Sequence, residues 1–294
     1  MKLSIRRGFT LTEIMIAMVM LAVVGAAATK LLANQTRSYD LEANIRNARS
    51  ISRSATNVLV SDLRMVQDSG GVDSVLSDGK LIRILVPYRF GMVCATTGTT
   101  TTVTLLPSDS SAVSMSAYTG FAYRGANGRY VYVWPSNPTT SGAPVAAATP
   151  ALCTGNGAGQ AQIVTVSVNG RTGSILDLPG PAATGAAAGT PVFLFQRITY
   201  SFRASGIYAN SIGLWRDVEN GRNEELMAPF DTSARFRYYQ AGDDTSRTNP
   251  PAISDIRGID LNLIAMSARA TSTNPSASRS KMVTSVFFKN VRAF

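Results

Sequence analysis

Apolar residues follow one uninterrupted run near the start of the chain. Residues 9–29 form this run, and Glu13 is its only charged residue. As an α-helix the segment would be about 31 Å long, which matches the hydrocarbon thickness of a bilayer. The residues before it include Lys2, Arg6 and Arg7 and no acid, so the positive-inside rule keeps this flank in the cytoplasm. We therefore predict a transmembrane helix over 9–29 and export of the chain that follows it.

An amphipathic pattern continues from Lys30 without proline or glycine until Gly70. Its apolar residues recur at spacings of three, four or seven, which places them on one helical face. We predict a single helix over 9–69, with its first part in lipid and its second part packed on a globular head. The alternative is a separate soluble helix after the membrane span. The residues of the predicted buried face are Leu41, Ile45, Ala48, Ala55, Leu59, Leu63 and Val66.

After Gly70 the pattern alternates, which is typical of strands in a β-sheet. The Asn-Gly pairs at 127–128 and 169–170 predict hairpin turns. We predict a β-rich head over 70–294, in which Pro87 ends the first strand. The predicted strands cover 81–86, 121–125, 129–134, 162–168, 192–195, 197–202, 212–216, 234–239, 256–266 and 282–291.

Three segments of the head are rich in Ser, Thr, Ala, Gly or Pro, namely 95–118, 135–160 and 179–190. This composition predicts flexible surface loops inserted in the sheet. The only two cysteines, Cys94 and Cys153, flank much of this region. In an exported chain such a pair usually forms a disulfide, and the alternative is two buried thiols.

Composition argues against catalysis. The chain has no histidine, which excludes Ser-His-Asp and Cys-His arrangements and most zinc sites. The adjacent acids Glu224-Glu225 and Asp243-Asp244 suit solvated loops better than an acid/base pair, because neighbours on a strand point apart. We predict no catalytic residues, metal or cofactor.

The net charge of +10 favours weak binding to anionic surfaces such as nucleic acid or lipid headgroups, but no run of Lys and Arg forms a patch.

The residues Gly8-Phe9-Thr10-Leu11-Thr12-Glu13 resemble the processing motif of type IV prepilins and type II secretion pseudopilins. In that family a membrane peptidase cuts after the glycine and methylates the new N-terminus, and the glutamate guides assembly. The resemblance implies cleavage between Gly8 and Phe9, N-methylation of Phe9, and an assembly contact at Glu13. Most major pilins carry a proline at the position of Lys30, so this chain departs from them.

Physical chemistry supports a role for Glu13 in assembly. A carboxylate within a membrane helix is costly and needs a partner. Cleavage after Gly8 would create a positively charged amine on Phe9, one helical turn from Glu13. The pair could form within one subunit, or between Glu13 of an incoming subunit and Phe9 of its neighbour. Thr10 and Glu13 also form a capping-box pattern, so Glu13 could instead satisfy the helix N-terminus. The two roles are compatible.

Shorter motifs inside the chain narrow the resemblance. The helix end Asp62-Leu63-Arg64, the strand with Tyr200 and the Leu214-x-Arg216 strand resemble segments of PilW-like minor pilins and J-type pseudopilins. The final segment, 285–292, resembles the last strand and tail of the same subunits. Together these matches cover about a third of the chain.

The sequence therefore predicts an α+β, pilin-like fold, in which a long N-terminal transmembrane and amphipathic helix packs on an antiparallel β-sheet head. We interpret the chain as a minor pilin of PilW-like type. The expected partners are other pilin subunits, the prepilin peptidase and an inner-membrane assembly platform. The expected location is the inner membrane with a periplasmic head, and afterwards the pilus at the cell surface. Alternatives are a type II secretion pseudopilin, a tip adhesin or DNA-uptake pilin, and a plain membrane-anchored periplasmic protein.

Overall fold

The computed structural model describes residues 10–67, 71–97, 100–105, 119–125, 128, 130–133, 145–146, 167–168, 171–172, 175–179, 186–219, 221–250, 252–267 and 278–288. The first element is helix α1, Leu11–Leu63, of 53 residues. At 1.5 Å per residue it is about 80 Å long. The predicted boundaries at 8/9 and 69/70 fall outside the described residues and stay predictions.

Helix α1 is continuous, so the prediction of one helix through both halves is confirmed. Its first half is fully exposed, and burial begins in its second half at Ala48. Of the predicted face, Ala48, Ala55, Leu59 and Leu63 are buried, whereas Leu41 is 42% exposed because the head does not reach that far up the helix. Burial of each large aliphatic side chain on this face contributes about 1.5–3 kcal/mol.

The strands of the described head are β1 Val72–Val75, β2 Leu81–Thr97, β3 Thr100–Leu105, β4 Gly120–Arg124, β5 Tyr130–Val133, β6 Val145–Ala146, β7 Ser167–Val168, β8 Arg171–Thr172, β9 Ile175–Pro179, β10 Pro191–Ala204, β11 Ile212–Val218, β12 Asn223–Phe230, β13 Arg235–Gln240, β14 Asp243–Arg247, β15 Ile256–Met266 and β16 Arg279–Phe287. A short 3-10 helix, Ile253–Asp255, precedes β15.

Fourteen of these strands form one sheet, in the order β14-β13-β15-β12-β11-β10-β2-β3-β9-β6, with β1 on β2, β16 on β15, and β4 and β5 beside β10. The long antiparallel ribbon of β2 and β10 is its axis, since these strands pair from Pro191↔Met92 to Ser201↔Leu81. The first half of β10 lies between β2 and β4, and its second half lies between β2 and β11. The sheet thus has two lobes that share the β2–β10 ribbon: one lobe lies beside the first half of β10, with β4, and the other lies beside its second half, with β11.

The larger core lies where the second half of α1 packs on the sheet. Phe202 forms its aromatic centre, with ring centroids 5.6 Å from Phe230 and 5.0 Å from Phe236. Strand β13 also approaches the segment before β2, since the backbone N–H of Phe236 on β13 donates to the carbonyl of Gly79. The buried core residues include Ala55, Leu59, Leu63, Val66, Ile82, Ile84, Ile198, Tyr200, Leu214, Tyr238, Ile259, Leu261 and Leu263. The predicted α+β fold, with the helix on an antiparallel sheet, is therefore confirmed.

The smaller core lies in the other lobe and corrects one prediction. The composition of residues 95–118 predicts a loop, but 95–97 complete β2 and Thr100–Leu105 form β3. Val103 and Leu105 are buried with Val93, Phe121 and Leu194. The threonines of β3 are β-branched and suit a strand, and the loop interpretation failed because it relied on composition alone. The second and third predicted loops lie largely outside the described residues.

Pro87 does not end the first strand, which is a second correction. Strand β2 continues through Pro87 to Thr97, and the pairing with β10 shifts between Leu194↔Arg89 and Phe195↔Pro87. Tyr88 is thus the extra residue of a β-bulge. A bulge is one of the few places within a sheet where proline, which lacks an N–H donor, is tolerated.

Most other strand predictions are confirmed, with changes in extent. The predicted strand 256–266 is observed as β15, and the segments 192–195 and 197–202 form the single strand β10. The predicted hairpin around Gly128 is confirmed, since β4 pairs with β5. The expectation of loops at Glu224-Glu225 and Asp243-Asp244 is wrong, because these residues lie on β12 and β14. Seven of the strands in the described residues were not predicted, namely β1, β3, β6, β8, β9, β12 and β14.

Candidate assembly helix and its junction with the sheet

The N-terminal end of α1 is organised around Glu13. The backbone N–H of Thr10 donates to Oε2 of Glu13 at 2.9 Å, and the N–H of Glu13 donates to Oγ1 of Thr10 at 3.3 Å. This is a reciprocal capping box, which satisfies two backbone donors that the helix itself leaves free. The capping role is therefore present within one chain. Gly8 and Phe9 lie outside the described residues, so the cleavage site, the methylation and the assembly contact stay predictions.

The first half of α1 presents apolar side chains on every side. Leu11 is 77% exposed and Leu21 is 74% exposed. By length and composition α1 is one helix that can cross a membrane. A helix that is apolar all round needs either lipid or other protein around it. This half is thus suited to insertion in a bilayer and to later burial among neighbouring helices.

Comparison with known families tests whether the apolar helix is an ordinary membrane anchor or carries a recognised N-terminal motif. The family model of the prokaryotic N-terminal methylation motif matches residues 3–29. The match supports a type IV pilin-like protein. It covers Gly8, Phe9 and Glu13, the three residues that the sequence predicts to be processed or to guide assembly. No curated protein and no solved structure matches the chain.

The match to the methylation motif indicates a general role for the exposed first half of α1. The motif and the apolar helix are consistent with a membrane-anchored, single-pass precursor, and the motif implies, in general terms, assembly with other pilin-like subunits and contact with a prepilin peptidase. The motif points to a structural subunit. The sequence and the structure thus agree on an apolar helix over the described residues 11–29.

The other end of α1 is joined to the sheet through a polar contact. Asp62, in the last turn of α1, accepts a 2.6 Å hydrogen bond at Oδ2 from the hydroxyl of Tyr200 on β10. Tyr200 is fully buried. Burial, and next the adjacent carboxylate of Asp62, raise the pKa of Tyr200. A buried hydroxyl needs such a partner, so this bond fixes which face of the helix end meets β10.

Arg216 on β11 lies beside the same carboxylate. Its guanidinium nitrogens lie 3.7 Å from Oδ2 of Asp62 and 3.7 Å from Oε1 of Glu224 on β12. These distances describe ion pairs without short hydrogen bonds. An open cleft with a volume of about 410 Å³ lies here, lined by Asn57, Val58, Ser61, Asp62, Arg216, Glu224 and Leu226.

The junction brings together three segments that sequence analysis had singled out separately. The helix end with Asp62, the strand with Tyr200 and the Leu214-x-Arg216 strand meet in one contact. Leu214 is buried below it, in the core on which α1 packs. Sequence reasoning missed Glu224 as a member, because it placed this residue in a solvated loop and the segment Asn223–Phe230 shows no polar/apolar alternation that would predict a strand.

A second polar contact beside the helix was not predicted. Ser52 donates through Oγ to the carbonyl of Ser280 at 3.3 Å, and Thr56 donates to the sulfur of Met282 at 3.4 Å. Both hydroxyls lie on the buried face of α1 and contact β16. The sequence interpretation counted only apolar positions on this face, so it left these residues out.

Cys94 lies on β2 and is 3% exposed. Cys153, its expected partner, lies outside the described residues. The Cys94–Cys153 disulfide therefore stays a prediction.

Proposed function

We propose that this chain is a minor pilin of PilW-like type, which is processed at Gly8-Phe9, methylated on Phe9 and incorporated at the tip of a type IV pilus, where it primes assembly. The supporting observation is the junction of Asp62, Tyr200 and Arg216. These residues come from the three motifs that resemble PilW-like subunits, and their contact gives the three motifs a shared structural role, which is to join the end of α1 to the sheet. A J-type pseudopilin of a type II secretion system carries the same motifs and is the second candidate.

The proposed mechanism is physical. While α1 is in lipid, the capping box with Thr10 stabilises the Glu13 carboxylate. A charged residue at the centre of a bilayer costs about 2.5–3.5 kcal/mol on insertion scales, and Glu13, near the start of the span, would cost less. Extraction of the helix into a filament replaces lipid with neighbouring helices and brings Glu13 to the Phe9 amine of the next subunit. Charges that are desolvated together attract strongly, so this pairing sets the axial register.

Mass spectrometry of the native N-terminus tests the processing step. The expected product begins with N-methylated Phe9. An intact Met1, or cleavage after the apolar segment, would show that the chain is a plain membrane-anchored or secreted protein.

Two substitutions separate the assembly role of Glu13 from its capping role. Glu13→Gln keeps a side-chain oxygen for the Thr10 N–H but removes the charge, and Thr10→Ala removes half of the cap but keeps the carboxylate. We expect Glu13→Gln to reduce incorporation into filaments by at least tenfold and Thr10→Ala to reduce it much less. Equal incorporation of wild type and Glu13→Gln would contradict the charge-pairing mechanism.

Deletion of the chain distinguishes the two candidates. For a minor pilin, surface pili should become rare while secretion of exoproteins stays normal. The reverse result would assign the chain to a secretion system.

A further inference from the structure

The part of α1 between the predicted membrane span and the head carries an uneven charge. The segment from Ala33 to Asn57 has four arginines, Arg37, Arg46, Arg49 and Arg53, against two carboxylates, Asp40 and Glu42. Three of the arginines are separated by three and four residues, so Arg46, Arg49 and Arg53 lie along one face of the helix. We call these three residues the arginine stripe.

The arginine stripe faces away from the head. All three residues are exposed, whereas Ala48, Ser52 and Ala55, which alternate with them, are buried against the sheet. Stripe and buried face are therefore different sides of the same helical segment.

The chain does not neutralise the stripe itself. Arg46 pairs with Glu42 at 3.0 Å, but the two side chains are 78% and 57% exposed, and such a pair is worth only about 0.3–0.5 kcal/mol. Among the described residues, no carboxylate lies within ion-pair distance of Arg49 or Arg53. The stripe thus presents net positive charge to whatever lies beside the helix.

Lipid headgroups are too far away to be the partner of the inserted chain. Arg46 follows the end of the predicted span at Thr29 by 17 residues, or about 26 Å along the helix. This exceeds the Debye length of about 8 Å at physiological ionic strength.

A second copy of this chain is a poor partner for the same face. Two copies side by side would bring arginines together, with only Asp40 and the already paired Glu42 to offset them. Like charges in contact select against self-association and in favour of a partner of opposite charge. The stripe also continues the bare apolar half of α1, including Leu31 and Leu32, which are 59% and 61% exposed. A neighbouring helix that covers this half would run on along the stripe.

We propose that the arginine stripe docks on the helix of a different pilin-like subunit, whose exposed face carries Asp or Glu at matching spacings of three and four residues. This inference rests on the proposed function, because only an assembling subunit would bring a neighbouring helix alongside α1. It specifies that the neighbour is a different protein with an acidic helix face, which fits a subunit that does not polymerise with itself.

A photo-crosslinking amino acid at Asn57 tests the proposal in the full chain and in its own cells. Asn57 is exposed and follows Arg53 by four residues, so it extends the stripe. We expect crosslinks to the helix of another prepilin-type protein, at peptides that contain the spaced acids. Crosslinks mainly to a second copy of this chain, or to nucleic acid, would overturn the proposal.

Charge reversal supplies the control. The triple substitution Arg46→Glu, Arg49→Glu and Arg53→Glu should lower the crosslink yield by about tenfold, and replacing the partner's acids by arginine should restore it. The matched variant Arg124→Glu, Arg222→Glu and Lys281→Glu changes the charge equally on exposed residues of the head and should leave the yield unchanged. An unchanged yield in the stripe variant would refute the stripe, while normal processing after Gly8 would leave the proposed function intact. If the reversal variant is degraded, replacing the same three arginines by glutamine tests the stripe through the same crosslink yield.

Discussion

The hydroxyl of Tyr200 donates a 2.6 Å hydrogen bond to Oδ2 of Asp62, and this bond joins the last turn of α1 to the middle of the sheet. Leu59 and Leu63 pack beside it in the same core. The long helix is thus held to the head by apolar packing and by several polar contacts, and the Tyr200–Asp62 bond is shorter than the contacts of Ser52 and Thr56 with β16.

Removing the Tyr200 hydroxyl tests this anchoring role. In Tyr200→Phe the Asp62 carboxylate, whose side chain is 16% exposed, keeps only its longer contact with Arg216. A hydrogen bond to a charged group contributes about 1.5–3 kcal/mol, so we expect the free energy of unfolding to fall by about that amount. The measurement is urea unfolding of the full chain in detergent, followed by tryptophan fluorescence.

Tyr239→Phe is the matched control for this substitution. The Tyr239 hydroxyl lies 3.3 Å from Oγ of Ser285 in an exposed contact, so its loss should cost less than about 0.5 kcal/mol. The double variant Tyr200→Phe with Asp62→Asn should be less destabilised than the sum of the two single variants. Additive losses would mean that the two side chains act independently.

Alkaline titration tests the burial of three tyrosines. Burial raises the pKa of Tyr88 to about 12, and it also raises the pKa of Tyr200 and Tyr238. Because the folded state favours their neutral form, the stability that they confer is complete below about pH 10 and decreases as the pH rises further. We expect their tyrosinate absorbance to appear only together with alkaline unfolding. In Tyr200→Phe and Tyr238→Phe the rise in absorbance at unfolding should shrink by one tyrosine each. If this reduction fell instead on the absorbance that appears near pH 10, before unfolding, the burial of the tyrosine would be contradicted.

The helical parts of the structure were predictable because their signals are local. The first half of α1 needs only an apolar run, and the buried positions from Ala48 to Leu63 need only a helical period. The cap at Thr10 and Glu13 depends on residues one turn apart, so it could also be inferred from the sequence. Where the head begins to cover the helix could not, since the exposure of Leu41 is decided by the size of the sheet.

The sheet was predictable only in part, for two physical reasons. Strand β3 contains four threonines and is buried on one face, and its composition alone did not reveal that burial. The passage of Pro87 through β2 depends on a bulge, which requires knowledge of the register with β10. The same limit applies to the junction, because Asp62, Tyr200 and Arg216 are far apart in sequence and only the strand pairing brings them together.

Acid should weaken the contact between β16 and the rest of the head through Asp231. This carboxylate accepts hydrogen bonds from Ser233 and pairs at 3.0 Å with Arg279, the first residue of β16. The Ser233 side chain, with further help from Arg279, lowers the pKa of Asp231. A lowered pKa stabilises the fold above the ordinary value of about 3.9, and this stability is lost as the pH falls below it.

We therefore expect Asp231→Asn to destabilise the chain by about 1–2 kcal/mol at neutral pH and by much less near pH 3. Urea unfolding at a series of pH values measures this difference. The exposed Asp244→Asn is the control and should show no such trend. A constant difference between Asp231→Asn and wild type at every pH would show that the effect comes from packing and not from charge.

The close approach of β2 and β3 at Gly91 predicts a steric effect in the smaller lobe. A Cβ atom at Gly91 would lie 2.4 Å from the carbonyl oxygen of Thr104 and 2.9 Å from the side chain of Leu105. Since backbone cannot move aside as a flexible side chain can, Gly91→Ala should push β3 away from β2 and cost about 1–3 kcal/mol. Gly25→Ala is the matched control, because a Cβ there meets no atom within 4 Å and the residue lies far from the head. Hydrogen exchange of the full chain in detergent should show faster exchange of β3 amides in Gly91→Ala and unchanged exchange in Gly25→Ala. If both variants protect β3 equally well, β3 does not pair with β2 at this register.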